Sequence, residues 1–232
     1  MRKAPIDKLQ EWSEQGHRTV LGDTLVMLGA DYPDMVALTA DLTPTARLTE
    51  FKETYPDRFY DVGIAEQNLI DFTAGLALEG LRPFAVGLAA IVPMRPAEQM
   101  RVALGYMNLS ATVVGIEAGV RFGPLGNTHY AMDDIAVVRA IPNFTVVSPS
   151  DPLQTYKALC ASAEHEGPVY VRLTGGPGYP VMYPDDFDFQ LGKAIEYRTG
   201  SDVAFVSTGS LLAEAVGAAD ILQSKGVSAR VV

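Results

Sequence analysis

The feature that most limits what this chain can fold into is a series of short segments that are apolar on both faces. They fall at 35–40, 82–86, 111–116, 144–148 and 168–172, with a shorter one at 59–61. Helical patterns at 19–28, 69–78, 96–109, 128–140 and 151–163 separate them. Strands that lack polar alternation and are joined by helices belong in a parallel sheet covered on both sides. The expected class is therefore α/β, with a doubly wound parallel sheet. The 232 residues, 48% of them hydrophobic, can bury a core of that size. In such sheets ligands bind at the carboxyl ends of the strands. Polar punctuation falls there repeatedly, at Asp41, Glu66, the loop around Leu125, Ser148-Pro149-Ser150-Asp151 and Arg172.

The remaining segments are peripheral to that sheet. Residues 7–15 read as a short surface helix carrying Trp12. Asp41-Leu42-Thr43-Pro44-Thr45 is a polar turn in which Pro44 could begin a short helix. Residues 117–127 form a Gly-rich loop, and 173–191, rich in Gly, Pro, Tyr and Asp, read as a linker. After the linker come a strand at 203–206, a helix at 211–223 and a strand at 227–232. One βαβ unit cannot bury both faces of a sheet by itself. The expected organisation is one domain over 1–190 and the beginning of a second α/β domain over 191–232, truncated or completed from elsewhere.

A net charge of −10 argues against nucleic acid or an anionic membrane as the main partner. The single cysteine, Cys160, lies in an apolar helical pattern and reads as core; a reducing compartment suits it. Met1-Arg2-Lys3-Ala4-Pro5 leads into a polar amphipathic segment rather than a secretory signal, and no apolar run is long enough to span a bilayer. A soluble cytoplasmic protein is expected. The chain has no Gly-x-x-x-x-Gly-Lys loop, no Gly-x-Ser-x-Gly elbow, no Gly-Asp-Gly, and no Cys or His pair at zinc spacing.

The stretch with most chemical content is Asp61-Val62-Gly63-Ile64-Ala65-Glu66-Gln67-Asn68. A short strand enters a Gly-containing bend, and a helix leaves it whose residues 69–78 are apolar on almost every face, so burial all round is expected. Glu66 sits at the junction. A carboxylate there needs a partner or must hold its proton. It could also be an ordinary acid favoured by a helix N-terminus.

Taken together, five motifs resemble one family. They are Asp41-Leu42-Thr43-Pro44-Thr45, the Glu66 stretch, Met94-Arg95-Pro96-Ala97-Glu98-Gln99, Gly126-Asn127-Thr128-His129 with Asp133-Asp134, and Pro142-Asn143 before Ser148-Pro149-Ser150-Asp151. In this order they resemble transketolase, and more narrowly its pyrimidine-binding domain where the enzyme is split into two chains. The tail from Gly192-Lys193-Ala194 through Thr208-Gly209-Ser210 resembles the start of that family's C-terminal domain.

The resemblance implies a thiamine diphosphate-binding fold and a transferase active only with a partner subunit. That partner, the diphosphate-binding transketolase chain, would hold the diphosphate and its magnesium, so no metal ligands are expected in this chain. A heterotetramer is implied. Glu66 matches the family glutamate that hydrogen-bonds N1′ of the aminopyrimidine. Asp41 matches an aspartate near the cofactor; Arg18, Thr45 and Arg172 match residues that hold a sugar phosphate; His129 matches a histidine at the reacting hydroxyls. A surface ion pair for either arginine, and a capping role for His129, are the ordinary alternatives.

Departures from the family pattern cluster in the site. Leu88 and Ile91, with Met94 a turn further, stand where aromatic residues usually stack on the pyrimidine. Glu117 stands where split transketolases usually carry a histidine, and Leu125 where an aspartate usually binds a substrate hydroxyl. The expected function is transfer of a two-carbon ketol unit from a ketose-type donor to an aldehyde, with altered substrate specificity. The alternatives are a deoxyxylulose phosphate synthase-like activity, the β subunit of a 2-oxo acid dehydrogenase, or a scaffolding paralogue without turnover.

Overall fold

A computed structural model describes residues 4–232. The first three residues of the basic N-terminus, and of the expected 1–190 domain, lie outside that range. Six strands form one sheet: β1 (Met35–Thr39), β2 (Phe59–Asp61), β3 (Arg82–Leu88), β4 (Thr112–Ile116), β5 (Thr145–Val147) and β6 (Val169–Arg172). Their order is β2-β1-β3-β4-β6-β5, and every pairing is parallel. All carboxyl ends therefore share one edge.

The side-chain alternation of β1 shows why both faces are apolar. Met35 and Ala37 join one core with Trp12 of α1 (Leu9–Gln15), Leu21 and Leu25 of α2 (His17–Asp31), Phe51 of α3 (Thr49–Thr54), and Tyr156 and Leu159 of α7 (Pro152–Glu164). Val36 and Leu38 join the other, with Leu69 and Ile70 of α4 (Glu66–Leu78), Met100 and Leu104 of α5 (97–106), and Val138 of α6 (Asp134–Arg139). Helix α5 opens as Ala97–Gln99 and continues as a π-helical turn, Met100–Tyr106. Helices on both faces make the sheet doubly wound, as the sequence predicts.

Three expectations about helices change. Trp12 is fully buried; its indole Nε1 donates to Asp23 Oδ2 at 2.8 Å and its ring stacks on Tyr156. The polar neighbours Gln10, Glu11, Ser13 and Glu14 hide an inward-facing position. Helix α4 is not buried all round: Leu69, Ile70, Thr73 and Ala74 face the core, while Phe72 and Leu78 are exposed. Pro44 begins no helix; residues 43–47 are turns and α3 starts at Thr49.

The segment 173–191 is irregular but packed. Asp151 caps α7 by accepting from Gln154 N at 2.7 Å, and its other oxygen accepts from the amides of Met182 and Tyr183 at 2.9 Å. Lys157 pairs with Asp186 at 2.5 Å, and Phe189 is buried. Beyond it, β7 (Val203–Phe205) and β8 (Ala229–Val231) pair in parallel around α8 (Leu212–Gln223), with a small core of Leu212, Ala219, Ala229 and Val231.

Candidate active site

The carboxyl edge of the sheet collects the predicted site residues. Asp61 ends β2 and organises the turns around it. Its carboxylate accepts from the amides of Asp41 (2.8 Å) and Gly63 (3.1 Å) and from Thr43 Oγ1 (2.8 Å). Burial pushes that carboxyl up, but the three donated bonds outweigh it, and the net shift is down. They also hold Asp41 at φ +59°, a left-handed conformation that Asp tolerates better than most residues. Asp41 itself is exposed.

Glu66 is the first residue of α4 and is 8% exposed. Arg95 Nη1 donates to both of its carboxylate oxygens at 3.0 Å. Arg95 reaches Glu66 from the turn that follows β3, where the amides of Val92 and Arg95 bond Leu88 O and Ile91 O. Leu88 and Ile91 on this turn pack onto the core, and Met94 is exposed. The turn thus carries aliphatic side chains on the same segment as the arginine that reaches the acid. Arg95 is half exposed and can swing away, but the Glu66 side chain is only 11% exposed, so a group that displaces Arg95 must itself satisfy the carboxylate. Exposed Ile64, Phe72, Leu78, Met94, Val102 and Tyr106 extend the apolar surface over α4, α5 and the turns flanking them.

Glu117 follows β4 and gathers a second cluster. It is buried, at φ +57°, a position that costs a non-glycine residue of order 1 kcal/mol or more. Arg18 Nε pairs with its Oε1 at 2.9 Å and Arg121 Nε with its Oε2 at 3.7 Å. Arg18 Nη1 also donates to Thr45 O at 3.0 Å, so Arg18, Thr45 and Glu117 are brought together. Burial pushes the Glu117 carboxyl up, and the two arginines pull it back only in part. His17 is buried with no hydrogen-bond partner on either ring nitrogen. Its Nε2 lies 3.9 Å from Glu117, too far for a hydrogen bond, and burial with two nearby guanidiniums depresses its pKa to about 3. His17 is neutral.

Arg172 is placed apart from that cluster's contacts. Its Nε donates to Asp134 Oδ2 at 2.7 Å and its Nη2 to Ala131 O at 3.2 Å, and it is only 13% exposed as a side chain. Tyr170 donates to the same Asp134 oxygen at 3.0 Å. Ala131 bridges antiparallel to Gly119, so this brace pins the loop that carries Glu117, Arg121, Leu125 and His129. His129 is half-buried, with Nδ1 3.0 Å from Thr128 Oγ1 and its ring edge-on to Phe122. Leu125 is exposed.

Asp61, Arg95, Arg121 and His17 are the site residues that sequence reasoning misses. A Gly two residues past Asp61, and a cation four residues past Glu117 in a Gly-rich loop, are the available signals. Among the described residues no group of three or more His, Cys, Asp or Glu could hold a metal ion.

Comparison with known proteins bears on this arrangement. Residues 13–176 match the family described as transketolase, pyrimidine binding domain, and residues 192–232 match transketolase, C-terminal domain. A putative transketolase C-terminal section from Methanocaldococcus jannaschii is 36% identical over 220 residues, covering 94% of this chain and 69% of that protein. A subunit of apulose-4-phosphate transketolase from Phocaeicola vulgatus is 38% identical over 210 residues, covering 90% of this chain and 67% of the other. A solved structure described as a split-gene transketolase, inactive beta4 tetramer, superposes with TM-score 0.84 at 36% identity, over 94% of this chain and 70% of that one. The chain thus spans about two thirds of the length of these relatives.

Proposed function

The chain belongs to the transketolase family, and we propose that it is the pyrimidine-binding subunit of a two-component, thiamine diphosphate-dependent transketolase. The reaction moves a two-carbon ketol unit from a ketose-type donor to an aldehyde acceptor. The observation that carries this reading is Glu66: a buried carboxylate that opens α4, lies beside an aliphatic turn, and adjoins an exposed apolar face. The partner that covers this face supplies the diphosphate and magnesium sites, and the assembly is a heterotetramer. A relative that is an inactive tetramer of β subunits alone supports the need for a second kind of subunit.

When bound, thiamine diphosphate supplies a carbon nucleophile that adds to a carbonyl. Glu66 would be the residue that hydrogen-bonds N1′ of the pyrimidine, with Arg95 giving way or sharing an oxygen. Leu88, Ile91 and Met94 pack against the ring and exclude water; an aromatic contact there would add roughly 1 kcal/mol. Asp41 borders the cofactor. Arg18 and Thr45 face the anionic end of the donor, and His129 its reacting hydroxyls. Glu117 and Leu125 alter substrate choice. For Arg172, expected on the substrate, we propose instead that it braces the loop, a role its bonds to Asp134 and Ala131 O support. The domain boundary near 190 and a cytoplasmic location belong to the same reading. No helix among the described residues is long and apolar enough to cross a membrane.

The test is C2 proton exchange of thiamine diphosphate in the complex with the partner subunit. Glu66→Ala should slow exchange by about 100-fold or more. Equal exchange in variant and wild type would reject the role of Glu66. The chain alone should show little change in Tm when thiamine diphosphate and magnesium are added; a large rise would contradict a shared site.

A further inference from the structure

Resting on the transketolase reading, we propose that Arg18 and Arg121, held by Glu117, form a subsite that selects donors ending in a singly charged anion, a carboxylate or sulfonate, over donors ending in phosphate. Glu117 is buried while both arginines are partly exposed, so two cations sit on a buried anion. Each arginine is fixed a second time. Arg18 donates to Thr45 O, and the Arg121 guanidinium lies against Gly176, where any Cβ would collide with it. Neutral His17 beneath them adds no charge. Glu117 holds a left-handed backbone, φ +57°, that a non-glycine residue adopts only at a cost, and in that conformation its side chain meets both arginines.

The charge count sets the preference. Two guanidinium groups against one carboxylate leave a single positive charge. A phosphate monoester brings about −1.5 to −2 at neutral pH, and its second charge would face Glu117 uncompensated. A carboxylate or sulfonate brings one charge and still uses the forked guanidinium donors. Where a histidine replaces Glu117, as the family pattern has it, that constraint is absent.

The complex with the partner subunit is assayed with two donors of one carbon skeleton, one ending in sulfonate and the other in phosphate. Wild type should favour the sulfonate. Glu117→Gln should raise the phosphate-to-sulfonate ratio of kcat/KM by about tenfold, and Arg121→Met should lower it, because a dianion loses more than a monoanion. Reading the ratio within each variant cancels any loss of folded enzyme. Calorimetric binding of the reduced, unreactive forms of the same compounds should move in the same directions. A wild-type preference for phosphate, or ratios unmoved by both substitutions, overturns the subsite. Absence of C2 exchange and turnover with either donor rejects the transketolase reading instead, and the calorimetric ratio still decides on the subsite.

Discussion

Replacing Arg172 by Met tests whether this arginine braces the fold or binds substrate. Asp134 is almost fully buried, its Oδ1 already lacks a partner, and Oδ2 is shared by Arg172 and Tyr170. Removing the guanidinium leaves a buried carboxylate with one neutral donor. Breaking a buried pair in this way costs about 3–5 kcal/mol. The slight exposure of Arg172 favours the lower half, about 3–4 kcal/mol, or a fall in Tm of roughly 6–16 °C for a domain of this size. Urea unfolding of the chain measures the first figure and calorimetry the second. Loss of the bond to Ala131 O should also speed hydrogen exchange at the amides of Gly119 and Ala131, which bond each other's carbonyls at 3.1 and 2.9 Å. Arg172→Met combined with Asp134→Leu should recover most of the stability, since no charge is then stranded. A single variant within about 1 kcal/mol of wild type, with KM for an anionic donor raised, would refute the brace and return Arg172 to the substrate.

Three further outcomes follow from the same contacts. His17, depressed to about 3 from its ordinary 6.5, binds its proton far more weakly in the fold, so the unfolded chain takes up a proton first as pH falls. Stability is therefore fully present above pH 6.5 and declines toward pH 3 by up to about 1.4 kcal/mol per pH unit; His17→Leu should flatten that slope in urea titrations, while Glu117, shifted upward from 4.5, acts with the opposite sign as pH rises from there. Asp151→Ala removes the α7 cap and the anchor of the Met182 and Tyr183 amides, so it should cost about 2–3 kcal/mol and expose the 177–187 segment to proteolysis first. Phe72→Lys on the bare face of α4 should leave the Tm of the chain within a few degrees yet weaken association with the diphosphate-binding subunit at least tenfold by titration.

Much of the architecture is legible in the sequence because it rests on local pattern. The doubly apolar strands β1, β3 and β4 state their own burial on both faces, while at the edge β2 buries only Phe59 and leaves Asp61 exposed at its carboxyl end. What escapes depends on partners far away in sequence. Trp12 sits in a polar stretch and turns inward only because Asp23 accepts its N–H and Tyr156 stacks on it. The π-helical turn in α5 is set by where the backbone bonds close, which apolar spacing does not record. The bare side of α4 is invisible in a helix apolar all round, since composition cannot say which face the same chain covers.

Arg18 and Arg172 show the limit most sharply. By their positions in the sequence, both are expected on the same anionic substrate group. In the fold each meets one carboxylate, Glu117 or Asp134, at 2.9 and 2.7 Å. The difference lies in what else surrounds the pair. Asp134 has a tyrosine donor and Arg172 a carbonyl, so that pair closes on itself. Glu117 holds a second arginine, and both arginine side chains keep much of their surface in solvent. One arginine is consumed by its partner and the other is presented by it. That distinction is set by Arg121 and Tyr170, residues with no motif of their own, so it can be read only once the loop is folded over the sheet.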